Sequence, residues 1–256
     1  MNQQTIQQLN QLNTDFYQTT AQTFDRTRQY YWAGWRKILP EIDKLVALAQ
    51  REKRALRVLD IGCGNGRFAL FLHDYLQTQF IFHGLDNNEA LLHLADKSLT
   101  EKNIKHQLFQ QDLIANLQKG EILENQKQKY DLIVMFGVIH HVPSFALRLQ
   151  LVNKLGELLN NNGVLVVTAW QFAAGSRYQN RYTNPQKLNI NPEQLEKNDF
   201  ILDWQKGKRA FRYCHYIDAD EINQMQNQLK NLKLTEKFKA DGKNEKLNQY
   251  LIFTQI

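Results

Sequence analysis

The densest chemistry in the chain is a turn in which three glycines alternate behind an acid, Asp60-Ile61-Gly62-Cys63-Gly64-Asn65-Gly66. Glycine lets a backbone turn tightly and lets a ligand approach the main chain without side-chain obstruction. The dinucleotide fingerprint needs a further glycine where Arg67 stands, and no Walker lysine follows. An aspartate beside the loop repels a pyrophosphate and suits a ligand that bears an ammonium group. Two more acids follow at the ends of apolar runs, Asp86 and Asp112. Asp86 is placed to accept both hydroxyls of a ribose, and Asp112 to accept the exocyclic amine of adenine. Any one of these acids could equally be a solvated strand end or a helix cap. Together with the loop they describe a pocket for a cationic adenosine derivative that carries an amino acid.

The elements that must position these groups alternate. Residues 57–61 form a short apolar run stopped by the glycine loop, and Phe68, Leu70, Phe71, Leu72 and Tyr75 then take up a helical rhythm. Strands are predicted over 80–86 and 105–109, with a helix over 90–98 between them. Residues 130–136 (YDLIVMF) form the most apolar segment, as in a strand buried on both faces of a parallel sheet. A helix over 147–159, a turn over 160–163 and a strand over 163–168 follow. Residues 232–239 and 249–254 read as an antiparallel pair joined around Asp241-Gly242. Before all this, Ile6, Leu9, Leu12 and Phe16 give one apolar stripe on a polar helix. A second helix over 32–49 buries Trp35, Ile38, Leu39, Ile42, Leu45 and Leu48, with Pro40 as a kink or a break. The pattern predicts an α/β fold with a doubly wound parallel sheet, its ligand beyond the carboxyl ends of the strands.

The segment VLDIGCGNGRFA, the acids Asp86 and Asp112, and YDLIVMFGVIHHV strongly resemble class I S-adenosylmethionine-dependent methyltransferases. The resemblance covers residues 58–163. It implies a Rossmann-like, mostly parallel seven-stranded sheet with an antiparallel C-terminal strand pair, here behind an N-terminal helical extension. It implies S-adenosylmethionine as cofactor, with Asp60, Gly62 and Gly64 around the methionine part, Asp86 on the ribose and Asp112 near the adenine. Cys63, Asn65, Gly66, Asn87, Leu113 and Phe136 complete the expected cofactor set.

The flanking stretches resemble one branch of these enzymes, the wobble-uridine carboxymethyl tRNA methyltransferases. The carriers are residues 16–28 (FYQTTAQTFDRTR), Val138-Ile139-His140-His141, Thr168-Ala169-Trp170-Gln171 and Arg212-Tyr213-Cys214-His215-Tyr216, where Cys214 departs from the usual aromatic. A carboxylate nucleophile is already ionised near neutral pH and needs a cation to hold it rather than a base. The resemblance gives Arg28 that role. His140 and His141 line the site or donate to the acceptor; for an amine or hydroxyl acceptor one of them would serve as base, and either could instead cap a loop. Substrate contacts are expected from Tyr17, Trp170, Arg177, Arg209, Arg212 and His215. Residues 205–216 hold four cations and no acid. Cations interleaved with aromatics suit RNA, and equally suit a lid whose aromatics form a small core.

The remaining readings come from the whole chain. Its 256 residues, 43% hydrophobic, with 12 Gly and 4 Pro, fit one domain and exclude collagen or low-complexity disorder. The expected divisions are a helical extension (1–50), a cofactor core (51–169), a substrate-recognition insertion (170–216) and a final helix with a strand pair (217–256). A net charge of +6 permits an anionic partner without demanding one. Two cysteines make no disulfide framework and suggest a reducing, cytoplasmic compartment. Residues 1–20 lack the apolar core of a signal peptide, and the apolar run 132–142 is too short to span a bilayer. Adjacent histidines and separated cysteines give no metal spacing, so no metal is expected. The resemblance implies tRNA as partner and, in some relatives, a small zinc-binding activator subunit. Two alternatives stay open: a methyltransferase of a small acidic metabolite, and a non-catalytic module that binds cofactor and RNA.

Overall fold

The computed structural model describes residues 1–26, 30–121, 128–205 and 209–256, without the side chains of residues 21–26. Strands β1 (Leu56–Ile61), β2 (Phe80–Asp86), β3 (Lys105–Gln110), β4 (Tyr130–Met135), β5 (Leu159–Trp170), β9 (Leu232–Ala240) and β10 (Asn248–Gln255) form one sheet in the order β3-β2-β1-β4-β5-β10-β9. The first five are mutually parallel where they pair, and β10 runs antiparallel to both β5 and β9. This is the expected seven-stranded sheet. Chain order reverses between β1 and β4, which sets the ligand crevice beyond their carboxyl ends.

Side-chain alternation along the strands builds two cores, one on each face. Ile133 and Met135 of β4 point to the side covered by α6 (Leu113–Lys119), α7 (Phe145–Glu157) and α8 (Ala219–Gln228). Leu132 and Val134 point to the side covered by α3 (Leu39–Arg51), α4 (Arg67–Tyr75) and α5 (Glu89–Glu101). The helix expected over 32–49 is broken at Ile38 into α2 (Ala33–Lys37) and α3, with Pro40 in the first turn of α3, where a missing N–H costs nothing. Leu39 and Leu48 are only half-buried, and Ala49 is buried. The turn expected over 160–163 is also revised: β5 already begins at Leu159, and its register against β4 shifts through these residues. Asn162 takes φ +65°, and a Cβ at Gly163 would lie 2.8 Å from the Asn160 carbonyl oxygen. Among the described residues no helix is long and apolar enough to cross a membrane.

Two features frame the crevice. Helix α1 (Gln3–Arg26) buries Ile6, Leu9 and Phe16, with Leu12 only half-buried. The 170–216 insertion, read from sequence only as basic and aromatic, contains a second antiparallel sheet: β6 (Tyr182–Thr183), β7 (Asp199–Trp204) and β8 (Ala210–His215). Leu9 of α1 packs with Ile190, Ile201 and Tyr213 of this insertion.

The insertion is tied to the core by a buried ionic network around Arg148 of α7. The guanidinium is fully buried and donates to Glu196 (2.7 Å), Glu221 (2.7 Å) and the Val142 carbonyl (3.0 Å). His215 sits between Asp199 (2.6 Å) and Glu221 (2.5 Å). Burial opposes its proton, but the two carboxylates outweigh burial, and its pKa is raised. Removing one partner from such a network strands the others without water. Arg148→Met should therefore destabilise the fold by about 3–5 kcal/mol, read as a lower urea midpoint. The share contributed by His215 is present below its unfolded pKa of about 6.5 and is lost as pH rises through the raised folded value. His215→Gln should flatten that part of the stability–pH curve.

Candidate active site

The glycine loop leaves β1 and is pinned at once to β2: the N–H groups of Gly62 and Cys63 donate to the Leu85 carbonyl at 2.7 and 3.0 Å. Gly62 has φ +72°, and a Cβ there would lie 2.3 Å from Val138 Cγ2, so no side chain fits. A Cβ on Gly64 would meet nothing within 4 Å, because this residue faces an open cavity of about 440 Å³. That volume suits a small-molecule site. At the end of β2, Asp86 accepts from Gly64 N and Asn88 N, both at 2.9 Å, so the acid shapes the loop that it stands beside. Burial raises its pKa, against the pull of these bonds.

Asp60 is the unusual group. It is buried and accepts no hydrogen bond from the described residues. Burial first, then the charge of Asp86, pushes its carboxyl up to about 8, with Arg67 opposing. A carboxyl in this state fits a ligand that brings a cation, as the methionine ammonium of S-adenosylmethionine does. Beside it stand Phe136 and Arg67, with Arg67 lying 5.1 Å over the Trp35 ring. Trp32 and Trp35 stack at 5.7 Å; Trp35 had read only as helix core.

The far end of this half is made with α1. Asp112 caps α6 through Ile114 N (3.0 Å) and Ala115 N (2.9 Å), and its other oxygen accepts from Asn10 Nδ2 at 2.8 Å. Asn87 reaches Thr14 at 3.3 Å. Leu113 and Asn65 complete the wall.

Across the cavity the character changes from acidic to cationic and aromatic. His140 and His141 lie in a single 3₁₀ turn after β4. The Tyr213 carbonyl, 2.8 Å from His141 Nδ1, can only accept, so Nδ1 carries the proton. Nε2 therefore accepts from the Tyr17 hydroxyl at 2.8 Å. Burial first, then the charge of Arg212, lowers the His141 pKa to about 3, so the ring stays neutral. His140 packs against Trp170. Arg212 is 9% exposed and lies over the rings of Trp170 (4.6 Å), Phe16 (5.1 Å) and Trp204 (5.8 Å). It has no carboxylate or hydrogen-bond partner among the described residues. Arg177 and Arg181, on either side of Tyr178, line the same wall.

Three residues expected at the site stand elsewhere. Gly66 caps α4 with φ +74°, and a Cβ there would lie 3.1 Å from Ala95; it serves helix packing. Arg209 is exposed, paired with Asp203 at 3.4 Å and set against Phe211, beside a separate shallow cleft. His215 is buried in the Arg148 network, facing away from Arg212. Arg28, Lys206 and Lys208 lie outside the described residues. The fold also gives Cys214 neighbours that its sequence spacing hid: its Sγ is 3.8 Å from His141 Nδ1. Both nitrogens of His141 are already engaged, however, and the Glu196, Asp199 and His215 group is filled by the Arg148 cation.

This fold and crevice define a class I S-adenosylmethionine-dependent methyltransferase. Residues 24–236 match the family described as "Methyltransferase domain", and the chain belongs to it. The Bos taurus protein called "Probable tRNA methyltransferase 9B" is 23% identical over 195 residues, 75% of this chain and 33% of the relative. The chain thus spans about a third of that relative's length. The Rickettsia akari "Ubiquinone biosynthesis O-methyltransferase" is 25% identical over 184 residues, 72% of this chain and 62% of the relative. A solved S-adenosylmethionine-dependent methyltransferase from Clostridium acetobutylicum shares the fold with TM-score 0.62 at 14% identity, covering 93% of this chain and 98% of that one.

The raised carboxyl of Asp60 has a measurable signature. The unfolded chain, with an ordinary aspartate at 3.8, gives up this proton before the folded one does at about 8. Between those values the folded state holds more protons, so ligand-free stability should fall as pH rises, by up to about 1.4 kcal/mol per unit. Asp60→Asn should remove that slope. It should also remove the proton released when S-adenosylhomocysteine binds near pH 7, read by calorimetry in buffers of different ionisation enthalpy.

Proposed function

We propose that the chain methylates an anionic acceptor, the carboxymethyl group of a tRNA wobble uridine, to its methyl ester. The observation that carries this reading is Arg212, a buried cation with no anion beside it among the described residues, caged by aromatic rings on the acceptor side of the cavity. Taking a guanidinium out of water without a partner is costly, and an incoming carboxylate would offset that cost. Its planar fork can hold such a group with one oxygen left for attack. The weak homology to the bovine protein called a tRNA methyltransferase favours RNA as the carrier. Arg177 and Arg181 suit flanking phosphates, and Trp170 and Tyr178 suit stacking on a splayed base.

The cofactor would supply an electrophilic methyl group on sulfur. The protein's part is then to hold the reactants in line and keep water out. Asp60, Asp86 and the glycine loop hold the cofactor. Arg212 aims the carboxylate, with Arg28 as a second clamp by the family resemblance. His141, locked neutral, keeps Tyr17 in place and takes no proton from an acceptor that is already ionised. This substrate belongs to the cytoplasm, and a small zinc-binding activator subunit would be a partner as in some relatives. A second reading, a small acidic metabolite as acceptor, is favoured by the enclosure of Arg212 between α1 and the insertion sheet.

Methyl transfer from labelled S-adenosylmethionine into tRNA from cells lacking wobble methyl esters separates them, with and without an activator. Label released as methanol by mild alkali is the expected result. Alkali-stable label would move the nucleophile to a base or ribose atom, and label found only in small acids would favour the second reading. Arg212→Ala should lower turnover by about 100-fold or more while S-adenosylhomocysteine affinity changes less than about twofold. Parallel loss of both would remove Arg212 from the acceptor side.

A further inference from the structure

Asp112, the acid placed by sequence at the adenine amine, is already engaged at both oxygens. One caps α6 and the other accepts from Asn10 Nδ2 at 2.8 Å. That second bond fixes the sense of the Asn10 carboxamide. An ionised carboxylate can only accept, so the NH₂ of Asn10 must face Asp112 and its oxygen must face away. Asn10 lines the cavity. Its Oδ1 has no hydrogen-bond partner among the described residues. The result is a hydrogen-bond acceptor of set orientation at the end of the cofactor half, near Gln111, whose Oε1 is also without a partner among the described residues.

The chemistry at that end follows from the sheet. The methionine acid Asp60 is on β1, the ribose acid Asp86 on β2, and the next step outward, β3, brings the chain to Gln111 and Asp112. The base of an adenosine cofactor extends in that direction. Its exocyclic amine is a donor, whereas the oxygen at the same position of a hypoxanthine base is an acceptor.

We infer that Asn10 is a specificity-determining residue that reads the purine 6-position of the cofactor, with Asp112 acting through it as a positioning residue. The amine of adenine donates to Asn10 Oδ1, and the 6-oxo group of hypoxanthine meets that oxygen lone pair to lone pair. Asp112 prevents the carboxamide from rotating to accommodate the wrong base. The recognition device is therefore split between a helix near the start of the chain and the end of β3, 102 residues apart in sequence.

The test is the ratio of affinities for S-adenosylhomocysteine and S-inosylhomocysteine, measured by calorimetry on the full chain. The wild type should prefer the adenosyl compound. Asn10→Ala should weaken the adenosyl compound and leave the inosyl compound unchanged or tighter, cutting the ratio by about five- to tenfold. Asn10→Leu, which keeps the bulk and removes the acceptor, should cut it likewise and serves if the alanine variant is poorly folded. Ile6→Ala loosens the same helix from the core without touching the cavity, so it should change both affinities in equal proportion. A wild-type ratio in both Asn10 variants, or a ratio that collapses equally in Ile6→Ala, would overturn the assignment.

Discussion

Two carboxylates, Asp60 buried at the end of β1 and Asp86 half-buried at the end of β2, stand on either side of one glycine turn and govern the organisation of this crevice. Burial raises the cost of ionising both Asp60 and Asp86, and among the described residues only Arg67 opposes it, at Asp60. Asp86 is partly relieved by the backbone N–H groups of Gly64 and Asn88, which makes the loop conformation and the acid mutually dependent. Asp60 has no such relief. The crevice is thus preorganised for positive charge by the same burial that makes it unfavourable when empty of one. Everything that shields it from water, from the two cores to α1, sustains that bias.

The cavity is electrostatically divided. Among the described residues its three acids lie at the ends of β1, β2 and β3, where Arg67 of α4 is the one lining arginine, and its other arginines, Arg177, Arg181 and Arg212, lie on the insertion. The boundary between them is built of neutral groups: Tyr17, the locked His141, and the rings of Trp170 and Phe136. Opposite charges would each be drawn to one side without competing for the other. The aromatic cage stabilises Arg212 through the ring faces while, among the described residues, no acid pairs with its fork.

The three acids and the glycine loop were legible in the sequence because they sit at strand ends or in a glycine turn, where local pattern and spatial position coincide. Residues 130–136 likewise announced a strand buried on both faces. The acceptor half was legible in composition only. Within β8 the pleat decides which side chains reach the cavity: Arg212 and Cys214 share one face, Tyr213 and His215 the other. Treating residues 210–215 as a strand would have separated Arg212 from His215, but cations amid aromatics carry no clear period. Gly66 looked like part of the loop, although its close approach to Ala95 makes it a packing glycine. Asn10 and Asn13 were hidden for a different reason. They are amides on a helix full of amides, and only the fold shows that one contacts Asp112 and the other the Tyr213 N–H.

Helix α1 spans both halves of the cavity along one face. Asn10 meets Asp112 past the end of β3, Thr14 meets Asn87 beside Asp86, and Tyr17 meets His141 on the side of Arg212. A helix moves as a rod. Lifting it from one end of the cavity therefore strains or breaks its bonds at the other, so the two binding compartments share a single door.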